Sequence, residues 1–157
     1  MKKILIFSTL LLAGCAATQP QPPFKVGEAI QLAGTTKEGA KVQQRYVLNR
    51  PGTFADGLWR YRVLNLAGTF GVGEVWVDDT DIVVIEYTDL GAANTEPTKT
   101  LCIAFPQDTN WRSVDGALIH GALDKMNKLN EQLEALNDEA AVGRLFSDAG
   151  TCTLTRQ

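Results

Sequence analysis

Gly73-Glu74-Val75-Trp76-Val77-Asp78-Asp79-Thr80-Asp81-Ile82-Val83-Val84-Ile85-Glu86-Tyr87 decides how the chain is read: two β-branched and aromatic runs around an acidic turn. Alternation of side chains along a strand gives such a hairpin two faces. Pairing Val77 with Ile82 groups Val75, Val77, Ile82 and Val84 on one face and Trp76, Val83, Ile85 and Tyr87 on the other. Both faces are apolar, so both need cover, and the hairpin belongs in the middle of the fold.

Working outward, Val26–Leu32, Lys41–Leu48, Leu58–Leu66 and Leu101–Phe105 carry the same strand composition. Turn-forming stretches such as Thr35–Gly39 and Arg50-Pro51-Gly52 separate them. Further on, Ile119, Ala122, Met126, Leu129, Leu133 and Leu136 recur at helical spacing, with Ser113 as the expected N-cap. A shorter helix is expected near Glu139–Phe146, burying Val142, Leu145 and Phe146. Thr151–Thr155 alternates as a last strand. The pattern predicts an α+β domain: a mainly antiparallel sheet of about six to seven strands with one long and one short C-terminal helix packed on it, the final strand returning to the sheet beside Leu101–Phe105. The helical stripe covers too few heptads for a coiled coil.

The 157 residues are 45% hydrophobic and 21% charged, with net charge −3. That suits one globular domain, spanning 24–157, and gives no basic excess for nucleic acid. At the start, Lys2 and Lys3 precede the apolar run Ile4–Leu12, the form of an export signal and too short to span a bilayer. The run ends in Leu12-Ala13-Gly14-Cys15, which resembles the lipobox of bacterial lipoproteins. The resemblance implies removal of residues 1–14, acylation of Cys15 and a membrane-tethered envelope protein. A conventional cut after Ala16 or Ala17 is the alternative. Ala16 is not the aspartate of inner-membrane retention, so the resemblance implies the periplasmic face of the outer membrane in a diderm, and otherwise the outer face of the cytoplasmic membrane. Ala16–Pro23, rich in Pro and Gln, is expected to be a flexible tether. The mature chain would hold 13 basic and 18 acidic side chains, a formal charge of −5.

Three cysteines are an odd number for an exported chain. With Cys15 lipidated, Cys102 and Cys152 are left to pair in an oxidising compartment, the alternative being two separately buried thiols. These two and the single His120 do not make a zinc set.

Candidate sites follow from residue type. Arg45, Arg60 and Arg62, interleaved with Trp59 and Tyr61, suit an anionic envelope ligand or a partner protein, because guanidinium forks bind carboxylate and phosphate bidentately. The competing reading pairs these arginines across the sheet with Glu74 or Glu86. Asn49–Gly57, with Arg50 and Phe54, is a candidate contact loop, or a loop that folds Phe54 back onto the core. His120 is expected on a helix surface, four residues before Asp124. Neither Ser113 nor Ser147 lies in a nucleophile motif, so no catalytic residue is assigned. Gly68–Val75 looks superficially like a kinase glycine-rich loop but lacks every accompanying kinase motif, and reads as a turn entering a strand. Asp78, Asp79 and Asp81 lack the EF-hand spacing, so neither a metal nor another cofactor is assigned. The expectation is a non-enzymatic envelope lipoprotein that binds or scaffolds another component. The alternative is an inhibitor of an envelope-acting enzyme such as lysozyme.

Overall fold

The computed structural model describes residues 20–66, 70–78, 82–108, 110–136, 143, 146 and 149–157. Their strands are β1 (Ala29–Thr35), β2 (Lys41–Leu48), β3 (Thr53–Ala55), β4 (Leu58–Asn65), β5 (Gly71–Asp78), β6 (Val83–Asp89), β7 (Thr98–Ala104), β8 (Ser113–Ala122) and β9 (Gly150–Arg156), with helix α1 (Leu123–Leu136) between the last two. All neighbours pair antiparallel, β9 returns to β1, and β2 pairs with β4. The outcome is a closed eight-stranded up-and-down barrel, with β3 added as a short hairpin on β4.

This overturns the α+β expectation. Among the described residues the structure is mostly β, with α1 as its one full helix, and closure removes the sheet edges instead of burying one face under helices. Ser113–Ala122 is a strand and not the start of the long helix, so Ser113 caps nothing and begins β8. The helical stripe misled because its first members, Ile119 and Ala122, lie in that strand. Of the shorter helix expected over 139–146, only Gly143 and Phe146 are described; Val142 and Leu145 lie outside the described residues. The hairpin register is also shifted by one. Val77 pairs with Val83, which sends Val75, Val77, Val83, Ile85 and Tyr87 inward together and leaves Trp76 and Val84 outside.

The barrel is filled rather than hollow. Ile30, Leu32, Tyr46, Leu48, Tyr61, Val75, Ile85, Tyr87, Leu118 and Leu154 are all essentially inaccessible. An eight-stranded barrel is just wide enough for side chains to fill it. Gly71 and Gly73 make room for one of them: a Cβ on either would fall 2.5 Å from Tyr87. Burial, with Tyr87 and Asp89 nearby, raises the Tyr46 phenol far above its ordinary pKa, and its hydroxyl donates to Gln44 Oε1.

The Cys102–Cys152 disulfide is present, but its strands are not neighbours, because β8 runs between β7 and β9. The two Cα atoms still come within 6.3 Å of each other across β8, where Gly116 stands between the two strands. It pairs with Ala104 on one side and Cys152 on the other, and a Cβ there would fall 2.2 Å from the Ile103 carbonyl oxygen, so glycine permits the close approach of β8 to β7.

One barrel end is closed by the segment that enters it. Phe24 packs edge-on against Tyr61 and Trp111, with ring centroids 5.4 and 6.1 Å away. The Arg156 guanidinium lies 4.6 Å from the Phe24 ring, donates to the Pro23 carbonyl and forms a 2.6 Å ion pair with Glu28. Pro23, expected as the last residue of a free tether, is therefore held against the barrel. At the other end, α1 leaves β8 with Leu123 N–H donating to Pro97 O, and contacts β7 and β8.

Candidate functional site: an outer groove on β4, β5 and β6

Because Leu58–Asn65 alternates, the aromatic and basic residues that stand side by side in sequence separate in space. Tyr61 points inward and is buried, and Trp59 stacks beside it with centroids 6.2 Å apart. Arg60 and Arg62 point outward. Trp59 and Tyr61 thus belong to the core and not to the arginine face. Phe54 joins them: β3 folds it back to 5.2 Å from Trp59. The turn that does this is Asp56-Gly57, both at positive φ (54° and 78°), as a two-residue hairpin turn requires.

On the outer wall the cross-strand register sets rows. Arg60 lies opposite Trp76, Arg62 opposite Glu74, and Glu74 opposite Glu86. Between β2 and β3 the chain brings Arg50 to the rim. Arg50, Arg62, Leu64, Val72, Glu74, Trp76, Glu86 and Thr88 line an open groove of about 440 Å³. Glu86 pairs with Lys99 at 2.7 Å, and Glu74 uses Oε2 to accept the Trp76 indole N–H at 3.0 Å, its Oε1 staying open among the described residues. Arg60 lies 5.9 Å from the Trp76 ring centre. Among the described residues, neither Arg50 nor Arg62 makes an ion pair or side-chain hydrogen bond. The pairing of Arg62 with Glu74 or Glu86 is not formed. Beside these cations Leu64 and Val72 are 50% and 62% exposed.

Arg45 is not part of this groove. It sits on β2 and donates to Gln157 Oε1 at 3.0 Å, in a separate shallow depression with Gln31, Gln43 and Leu66. His120 is on β8 and not on a helix, so its expected pairing with Asp124 does not arise; its Nδ1 lies 2.9 Å from Thr100 Oγ1. Burial lowers the imidazole pKa below its ordinary value, opposed by the charge of Asp89. Asp78 Oδ1 accepts the Ile82 N–H at 3.0 Å, a turn role; Asp79 and Asp81 lie outside the described residues. So do Cys15 and the rest of residues 1–19. Among the described residues there is no metal-ligand cluster and no helix long and apolar enough to cross a membrane.

Reading residues for charge and ring type overlooked Leu64, Val72, Glu74 and Trp76 as groove residues. The signal was available: strict alternation from Arg60 places Leu64 on the arginine face and excludes Trp59 and Tyr61. Comparison with protein-family models, curated proteins and solved structures finds no match.

Proposed function

We propose that this is a cell-envelope lipoprotein, tethered through Cys15, that binds another envelope component through the groove on β4, β5 and β6. The observation that carries the reading is the state of Arg50 and Arg62: two guanidinium groups facing one groove without a carboxylate partner among the described residues. Exposed, unpaired arginine forks beside apolar side chains suit a partner that offers carboxylate or phosphate together with an apolar surface. The role is binding rather than catalysis. The filled barrel supports this, since it keeps the interior side chains for packing and leaves the wall for recognition.

The test is site-specific photo-cross-linking in intact cells from a reactive side chain at Thr88, which lines the groove. An adduct of defined mass is expected, and it disappears in the Arg50→Glu/Arg62→Glu variant. No adduct, or one indifferent to those charges, contradicts the reading. Lipidation is checked separately: the mature N-terminal peptide carries the mass of acyl chains on Cys15, and an unmodified Cys15 overturns the anchor.

A further inference from the structure

The outer face of β4 and β5 is complementary to itself, and this identifies a partner. In register, Arg60 faces Trp76 and Arg62 faces Glu74 across the strand pair. The next outward positions, Leu64 on β4 and Val72 on β5, are both exposed. Each row therefore joins a residue on one strand to one of matching chemistry on the other: cation with aromatic ring, cation with carboxylate, apolar with apolar. We propose that this face pairs with the same face of a second copy of the chain, about a two-fold axis running along the strands. The proposal rests on reading the groove as a partner face and names the partner.

The axis follows from the rows. Rotation about a line parallel to the strands, midway between β4 and β5, sets each β4 against the β5 of the other copy. Arg62 then meets Glu74 of the second copy, twice by symmetry, with Leu64 on Val72 and Arg60 over Trp76. An axis across the strands would instead oppose each row with a different one. The strand-parallel axis also keeps the Phe24 ends of both barrels on the same side, as two tethers in one bilayer require. Such contacts are closed and isologous, so assembly stops at the dimer.

Sedimentation velocity of the full chain in detergent tests this. The wild type is expected to be dimeric. Arg62→Glu or Glu74→Arg alone raises the dissociation constant on the order of a hundredfold, through like charges in the contact. The double variant R62E/E74R restores both pairs and so the dimer. A monomeric wild type, or a double variant no tighter than the single ones, overturns the proposal. If the wild type is monomeric yet Thr88 still cross-links to another component in an arginine-dependent way, the dimer falls and the groove reading stands. If that adduct is also absent, both fall.

Discussion

Arg156 and Arg62 are the same side chain in two regions of one barrel, and they are treated in opposite ways. At the closed end, Arg156 has Glu28 at 2.6 Å, the Pro23 carbonyl at 3.1 Å, and the rings of Phe24 and Trp111 on its faces. On the outer wall, Arg62 has no polar partner among the described residues, although Glu74 is its cross-strand neighbour. A cation engaged by its own chain on several sides holds that chain together. A cation left open contributes little to the fold and keeps its hydrogen-bonding capacity for something else.

The comparison is broken or sharpened by substitution, and the largest effect should come from the closed end. Phe24→Ala removes a buried ring that touches Tyr61, Trp111 and Arg156, and should cost about 3 kcal/mol in urea unfolding. Loss below about 1 kcal/mol would mean that the plug is not part of the core. Arg156→Ala comes next. It leaves Glu28 without its cation, and because both side chains keep some solvent contact, the expected cost is about 1–2 kcal/mol.

Much of this was open to reading from the sequence. Lys41–Leu48 is a strand over the same residues as expected, and the remaining strand readings fall within a few residues of the observed ones. The pairing of Cys102 with Cys152 also holds. Two strands were missed for different physical reasons. In β8, Gly116 and Gly121 are poor helix residues and Val114, Leu118 and His120 alternate, but Ile119 and Ala122 happen to continue the spacing of α1. In β3, three residues are too few for a pattern, and the informative pair was Asp56-Gly57 at the turn. Barrel closure is a non-local property, set by β9 meeting β1 across the whole chain, and no window of sequence carries it. At the site, alternation along Leu58–Asn65 puts Arg60 and Arg62 together on the outer face. Grouping them with Trp59 and Tyr61 ignored the alternation that had been used to find the strand.

A smaller effect concerns the interior at the end remote from Phe24. Burial depresses the His120 pKa below about 6.5, so the folded state prefers the neutral ring. Its contribution to stability is complete above the unfolded pKa and is lost as pH falls through the folded one. The melting temperature should therefore drop as pH is lowered from 7 through the region below 6.5, more in the wild type than in His120→Gln. Equal slopes would show that another group controls the change. The smallest effect on stability is expected at the groove. Arg50→Ala and Arg62→Ala should each shift unfolding by no more than about 0.5 kcal/mol, while reducing the Thr88 cross-link. A large loss of stability from Arg62→Ala would remove the contrast with Arg156.

Guanidinium reactivity tests that contrast most directly. Phenylglyoxal modification is followed residue by residue, by mass spectrometry, on the protein in isolated envelopes and on the purified protein in dilute detergent. Arg156 should react slowly in both and the exposed Arg45 readily in both, whereas Arg50 and Arg62 should be protected in envelopes and reactive once dilution has taken the protein to the monomer. Ready reactivity of Arg50 and Arg62 in both settings would contradict the account, because the groove would then have no occupant in the envelope.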